Sequence, residues 1–194
     1  PDTPRHYYYA FKIKSLLSHK LKANILEIGG GYGGLANFLS KITEKDYTYC
    51  NIDLLPGLLS AFYFLKKNNV NVNLIHSMGE IKKGYINLLP YQCFFNKTQE
   101  NYKFDLVFNS RSFCEMSQET LNFYFKFINR IHPEFIYHEN SNYLLFPESK
   151  RHLELLAEDF PVSLQKYQLK HMSITPFTGG RGRYREYIYK SSFK

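Results

Sequence analysis

Apolar residues along the chain follow two alternating patterns. Short, mainly apolar runs predict strands, and the segments between them place apolar residues every three or four positions, as in helices that cover a sheet. Strands are predicted at residues 24–28, 45–52, 70–75, 102–110, 133–137, 163–174 and 184–189. Helices are predicted at residues 4–21, 33–43, 56–67, 118–131 and 148–159. Residues 81–102 follow neither pattern and are interpreted as a loop or covering insertion with a short helix.

The order of these elements predicts an α/β fold. We expect a Rossmann-like, mostly parallel seven-stranded sheet with helices on both faces. The connection at residues 176–183 is short enough only for antiparallel neighbours, so a C-terminal antiparallel hairpin should close the sheet. The 194 residues suit a single domain overall. Within it, residues 1–22 form an N-terminal helix that packs on or covers a site built by residues 23–194.

A cluster of glycines follows the first predicted strand. Five of the eleven glycines fall within residues 29–34. Glycine enters sharply turning conformations without steric cost, so five at a strand-to-helix junction predict a turn that lies against a ligand. The spacing fits G-x-G-x-x-G, the dinucleotide pattern, and equally E-x-G-x-G-x-G, which begins at Glu27.

The acid at Glu27 distinguishes the two ligands. A dinucleotide would place its pyrophosphate at this turn, where a carboxylate repels it. S-adenosylmethionine instead carries a sulfonium and an ammonium group that an acid complements, while the glycine amides and the helix terminus can receive its carboxylate. We therefore predict S-adenosylmethionine, unless Glu27 is only a solvated strand end. The predicted contacts at this turn are Glu27, Gly29, Gly30, Gly31 and Gly33.

A second acid ends the next predicted strand. Asp53 lies twenty residues after Gly33, where a carboxylate can accept hydrogen bonds from both ribose hydroxyls of a bound nucleoside. This role fits either cofactor, and a helix-capping Asp before Leu54 is the alternative. Further cofactor contacts are predicted where strands end, at Leu54, Ser77, Met78, Asn109 and Ser110.

The charge of the chain bears on the kind of partner that it binds. The net charge of +8 indicates an anionic partner, such as a nucleotide sugar, phosphorylated glycan or nucleic acid, or simply a basic soluble surface. The Thr-Gly-Gly-Arg-Gly-Arg loop at residues 178–183 could clamp an anionic acceptor, touch nucleic acid, or be a solvated hairpin loop.

Three widely spaced cysteines, Cys50, Cys93 and Cys114, favour reduced thiols in the cytoplasm. There is no C-x-x-C or H-x-x-x-H pair, so no metal site is predicted. No run approaches the roughly 20 apolar residues of a membrane span, and no secretory signal is visible. We expect a cytoplasmic protein without a membrane partner.

Several segments resemble a known family. Residues 26–35 resemble motif I of class I S-adenosylmethionine-dependent methyltransferases. Together with residues 49–54, 104–110, 111–116 and the Asn140 segment, they resemble a bacterial family of sugar O-methyltransferases, over roughly residues 24–145. The resemblance implies a class I methyltransferase fold and methylation of a hydroxyl on a sugar or glycan precursor.

The implied reaction benefits from a base, because a sugar hydroxyl is only weakly acidic. Glu115 and His138 are candidates, since both should lie near carboxyl ends of strands; helix capping or surface polarity is the alternative for Glu115, and a non-catalytic role for His138. Arg111, Ser112 and Asn140 could hydrogen-bond the acceptor, although Arg111 could equally pair with Glu115.

The sequence is also compatible with two other functions. The chain could be an NAD-binding Rossmann oxidoreductase, which Glu27 and the closing hairpin disfavour. It could also methylate or bind nucleic acid, or methylate another small molecule. The sequence disfavours nucleic acid as a partner, and it makes no prediction of oligomeric state.

Overall fold

The computed structural model describes residues 3–42, 46–96, 102–142, 155–177 and 182–193. Within these ranges, eight strands form one mostly parallel sheet. The strands are β1 Lys22–Ile28, β2 Asp46–Asp53, β3 Val72–Leu74, β4 Ile86–Pro90, β5 Leu106–Ser110, β6 Phe135–Ser141, β7 Tyr167–Ile174 and β8 Tyr184–Ser191. The helices are α1 Thr3–Leu16, α2 Gly34–Ile42, α3 Leu55–Lys67, α4 Tyr91–Asn96 and α5 Gln118–Ile131.

The predicted α/β fold with a mostly parallel sheet and an antiparallel C-terminal hairpin is confirmed. The predicted number of strands was wrong, because the described residues contain eight strands rather than seven. The chain divides into two compact units, Pro1–Leu106 and Val107–Lys194.

In the first unit, four strands lie in the order β3-β4-β2-β1, and every neighbouring pair is parallel. The pairing of β1 with β2 places Glu27 directly opposite Asn51. Because side chains of opposed residues project from the same face of a sheet, these two polar side chains are neighbours. This register fixes the position of the glycine turn that follows β1.

The extra strand, β4, lies within the stretch that the sequence pattern left irregular. All five of its residues are buried, and it is β4 rather than β3 that pairs with β2. Its second residue, Asn87, is fully buried. The Asn87 amide donates to the backbone carbonyls of Tyr49 and Lys82 at 3.0 Å each, so this polar side chain is satisfied within the protein.

Helix α1 is shorter than predicted, ending at Leu16 rather than residue 21. Its buried residues are Tyr9, Ala10 and Ile13. Lys14 Nζ donates to the carbonyl of Ile42 at 2.8 Å, at the last residue of α2. A lysine there complements the negative end of the α2 dipole, which helps to hold α1 against α2.

In the second unit, β8 lies between β6 and β7 and is antiparallel to both. Helix α5 has the predicted bounds, and the hydroxyl of Ser117 caps it by accepting from the Thr120 amide at 3.2 Å. Strand β6 continues to Ser141, beyond its predicted end at residue 137, and all its residues are buried. The predicted helix at residues 148–159 falls largely outside the described residues, which include a short 3-10 helix at Ala157–Asp159.

Candidate functional site

The glycine turn joins β1 to α2 in the first unit. Three of its glycines adopt left-handed backbone conformations, with φ of 74° at Gly29, 56° at Gly31 and 82° at Gly33. Side chains other than glycine rarely adopt such angles, which explains the cluster in physical terms. At Gly31 no atom lies within 4 Å of the place where a Cβ would stand. The backbone at Gly31 is therefore open to an approaching ligand.

The amides of this turn are bound by β2. Gly29 N–H donates to the Ile52 carbonyl at 2.8 Å. Gly30 N–H donates to Asn51 Oδ1 at 3.1 Å, and Gly31 N–H donates to Asp53 Oδ2 at 2.7 Å. The expectation that the glycine amides receive a ligand carboxylate is wrong for these three, because each already has an acceptor within the protein.

Glu27 lies beneath the turn and is only 4% exposed, so it is not a solvated strand end. The Tyr49 hydroxyl donates to Glu27 Oε2 at 2.7 Å. Burial raises the pKa of the Glu27 carboxyl to about 7; the Tyr49 hydrogen bond opposes this shift, Asp53 adds to it, and Arg5 lowers it. A Cβ at Gly30 would overlap the Glu27 carboxyl, so only glycine allows the turn to pass over this acid.

Asn51 is a member of the site that the sequence reasoning missed. It is fully buried, and its Nδ2 has no hydrogen-bond partner among the described residues. This Nδ2 would stand 2.7 Å from a Cβ at Gly30, next to the Glu27 carboxyl. The available signal was its position two residues before Asp53, which places both side chains on one face of β2.

Asp53 binds backbone amides with both carboxylate oxygens. Oδ2 accepts from Gly31, and Oδ1 accepts from Leu54 N–H at 2.6 Å. Each carboxylate oxygen can accept a second hydrogen bond, and Asp53 is only partly buried, so hydroxyl groups can still donate to it. The Leu54 side chain is 57% exposed at the same end of β2.

Ser77 and Met78 lie after β3, which is an edge strand in the sheet order. Ser77 Oγ donates to Glu80 Oε1 at 3.2 Å, and Met78 is 4% exposed. Both residues lie in the turn after β3, as predicted, but β4 and not β3 is the neighbour of β2. The register of β2 with β4 sets Pro90 opposite Asp53, so the residues that follow Pro90 occupy the expected place.

In the second unit, polar side chains gather around Glu139, which is fully buried on β6. Arg111 donates to it from Nε at 3.1 Å and from Nη2 at 3.3 Å. Ser110 Oγ and Thr175 Oγ1 also donate to it, at 3.1 and 2.9 Å. We call Ser110, Arg111, Glu139 and Thr175 the Glu139 cluster.

Arg111 therefore pairs with Glu139, and not with Glu115 as the sequence allowed. Its backbone is left-handed, with φ of 63°, and its guanidinium lies 4.0 Å from the centre of the Tyr184 ring. Sequence reasoning missed Glu139 and Thr175. The residues 138–140 follow an apolar run and look like the start of a loop, although they continue β6.

Asn109 and Asn140 are structural partners of each other. Both are buried, and Asn140 Nδ2 donates to Asn109 Oδ1 at 2.8 Å. Asn140 Oδ1 accepts from the Cys114 amide at 3.2 Å, while Asn109 Nδ2 donates to Ser112 Oγ. These bonds hold the segment between β5 and α5, and they occupy the groups that were expected to contact cofactor or acceptor.

The two candidate bases have contrasting surroundings. Glu115 is exposed at the end of the 3-10 helix Phe113–Glu115. His138 is fully buried, with its ring centroid 5.0 Å from that of Tyr187 and 5.1 Å from that of Phe160. Neither ring nitrogen of His138 has a hydrogen-bond partner among the described residues. Burial lowers the pKa of this imidazole to about 3, which disfavours it as a base.

Most of the Arg-Gly loop, residues 178–181, lies outside the described residues. At its end, Arg183 Nε donates to Ser141 Oγ at 3.2 Å. Over the described ranges, no group of three His, Cys, Asp or Glu side chains could hold a metal ion. None of the helices in these ranges has the length and apolar character that a membrane crossing requires.

A cavity of about 320 Å³ opens in the first unit. It is lined by residues at the starts of β2 and β4, including Tyr47 and Ile86, and by residues that follow α3, including Asn69. The glycine turn lies at the other end of these strands. The cavity is therefore separate from the site described above.

No protein-family model matches the chain, and no curated protein matches it. Solved structures are similar in fold. The methyltransferase domain of a bacterial CtHen1 protein is 14% identical, with a TM-score of 0.59, and the match covers 94% of this chain and 97% of that one. The small RNA methyltransferase HEN1 is 15% identical, with a TM-score of 0.65; the match covers 98% of this chain but 25% of that one.

A third similar structure is the protein yhhF from Escherichia coli. It is 12% identical, with a TM-score of 0.59, and the match covers 98% of this chain and 86% of that one. Identities this low show a shared fold and nothing finer. The chain thus has the Rossmann-like fold of methyltransferases, and its chemistry has to be argued from its own residues.

Proposed function

We propose that the chain is an S-adenosylmethionine-dependent O-methyltransferase that acts on a hydroxyl of a sugar or glycan precursor. The observation that carries the choice of cofactor is the acid buried beneath the glycine turn. Glu27 is 4% exposed and lies where a dinucleotide would bring its pyrophosphate. A carboxylate there repels a diphosphate and attracts an ammonium or sulfonium group, which disfavours the oxidoreductase alternative.

The residues present fit this cofactor. Glu27 would hold the ammonium group, Asp53 would accept from the ribose hydroxyls, and the open backbone at Gly31 leaves room for close approach. When bound, S-adenosylmethionine supplies a methyl group that is already activated for transfer. The protein's contribution is then to align the acceptor and to remove its proton.

The Glu139 cluster supports an acceptor that carries hydroxyl groups. The guanidinium of Arg111 and the buried carboxylate of Glu139 balance each other's charge, so the cluster offers hydrogen bonds without a net positive charge. A neutral sugar matches such a surface better than a phosphate does. Ser112, which is partly buried, is a further candidate contact for the acceptor.

Glu115 is the base in this proposal, because its carboxyl is exposed whereas His138 is buried. We predict that Glu115→Gln lowers the rate of methyl transfer about a hundredfold, within the range typical of a lost general base. The control is Glu119→Gln, another exposed acid, in the first turn of α5, which should keep the wild-type rate. Equal rates in Glu115→Gln and the wild type would reject the assignment.

A second candidate is a methyltransferase that acts on nucleic acid. The net charge of +8 favours binding to a polyanion, and one similar structure is the small RNA methyltransferase HEN1. This candidate would place the acceptor on RNA and keep the same cofactor.

Transfer of a labelled methyl group from S-adenosylmethionine separates the two candidates. The acceptors to compare are a panel of monosaccharides and nucleotide sugars, and a short RNA. The proposal predicts labelled sugar and unlabelled RNA. Labelled RNA with no labelled sugar would support the second candidate and reject the first.

A further inference from the structure

Because three glycine amides of the turn are occupied, another group has to bind the carboxylate of the cofactor's amino acid moiety. That moiety is a zwitterion, with an ammonium group that Glu27 can hold and a carboxylate that needs a donor. Gly29, Gly30 and Gly31 donate their amides to β2. The carboxylate therefore has to find a donor other than these three amides, and this inference rests on the proposed function.

Helix α1 brings side chains to this turn. The hydroxyl of Tyr32, within the turn, lies 3.2 Å from His6 Nδ1, and the two rings meet edge-on with centroids 5.5 Å apart. A Cβ at Gly34 would overlap the His6 imidazole. The first turns of α1 thus pack directly on the segment between β1 and α2.

Arg5 directly precedes His6 on this part of α1. Arg5 is partly buried, and its Nε is a buried atom. The side chain therefore points towards the protein and not into solvent. Its charge also acts on Glu27, where it lowers the carboxyl pKa after the larger effects of burial, Tyr49 and Asp53. The packing of α1 on the turn and the buried Nε of Arg5 place a cation beside the glycine turn that covers Glu27.

We propose that Arg5 binds the carboxylate of the cofactor's amino acid moiety, while Glu27 binds its ammonium group. The planar guanidinium can donate two parallel hydrogen bonds to a carboxylate, which a lysine cannot do. The pair would recognise an α-amino acid by its two opposite charges. Helix α1 then contributes directly to cofactor binding.

Calorimetry with two ligands tests the proposal. S-adenosylhomocysteine carries the amino acid moiety, and 5′-methylthioadenosine lacks it but keeps the nucleoside. We expect Arg5→Ala to weaken S-adenosylhomocysteine binding about tenfold to a hundredfold, the range for a hydrogen-bonded charge. Binding of 5′-methylthioadenosine should change less than about twofold, because the nucleoside contacts are untouched.

The matched control is Lys12→Ala, which removes another cation from α1, one whose Nζ lies 5.2 Å from the centre of the Tyr8 ring. It should leave both affinities unchanged. Arg5→Gln keeps the length and polarity of the side chain and serves if the alanine variant does not fold. Wild-type affinity for S-adenosylhomocysteine in an Arg5 variant, or equal losses for both ligands, overturns the proposal. A wild-type protein that binds neither ligand refutes the proposed function itself.

Discussion

Glu27 is buried, and burial disfavours the ionised form of a carboxyl group. It also accepts a hydrogen bond that favours the ionised form. The Tyr49 hydroxyl at 2.7 Å stabilises the ionised form, while burial raises the pKa of the Glu27 carboxyl to about 7. An incoming ammonium group would offset the remaining cost. The proposed cofactor therefore explains this residue better than the stability of the fold does.

Replacing this acid should change the pH dependence of stability. The folded-state pKa of Glu27 is about 7 and its ordinary value is 4.5, so the unfolded chain releases this proton first as the pH rises. The wild type loses stability between these values, by on the order of 3 kcal/mol. Glu27→Gln has no such proton to lose.

We therefore expect the free energy of unfolding of Glu27→Gln to rise relative to the wild type between pH 4.5 and about pH 8. Urea unfolding of both proteins across this range measures the difference. A difference that stays constant with pH would show that the Glu27 carboxyl keeps an ordinary pKa.

Among the elements, those with a regular pattern were predicted well. Helix α5 has its predicted bounds because apolar residues recur at helical spacing and Ser117 caps its start. Strand β4 was missed because a buried Asn87 interrupts its short apolar run and Pro90 ends it. The polarity of Asn87 is satisfied by backbone groups, and such partners cannot be read from the sequence.

The end of strand β6, at the candidate site, could not be predicted from the sequence for the same reason. Its last residues include His138, Glu139 and Asn140, which are all fully buried. A polar triplet after an apolar run indicates a loop unless tertiary partners are known. Consequently the sequence pointed to His138 and Asn140 as functional groups near the end of a strand, and gave no role to Glu139.

The burial of His138 leads to a prediction for β6. At neutral pH, His138→Phe should be neutral or stabilising, because it replaces a buried imidazole that has no hydrogen-bond partner among the described residues. In acid, the folded-state pKa of about 3 lies below the ordinary 6.5. The unfolded wild type therefore gains the proton first, and its stability falls as the pH drops below 6.5.

His138→Phe should thus become more stable than the wild type as the pH falls, by about 1.4 kcal/mol per pH unit below 6.5. Urea unfolding between pH 6.5 and about pH 4 measures this difference. Parallel pH profiles for the two proteins, or a large loss of stability at neutral pH, would contradict the burial of a neutral imidazole.

Across the whole molecule, the fold is shared with other proteins, whereas the candidate site depends on this chain's own residues. The similar solved structures are 12–15% identical to this chain, so they share its architecture without fixing its chemistry. The glycine turn and its acids could be predicted from the sequence, since their spacing is local. The Glu139 cluster could not, because it joins residues from three separate parts of the second unit.

Calorimetric titration of the wild type and Glu27→Gln with S-adenosylhomocysteine and with NAD⁺ tests the central claim most directly. The charge at Glu27 should make the wild type bind S-adenosylhomocysteine and not NAD⁺. Glu27→Gln should bind S-adenosylhomocysteine about tenfold more weakly, as expected for one lost charged hydrogen bond. A wild-type protein that binds NAD⁺ more tightly than S-adenosylhomocysteine would contradict the account.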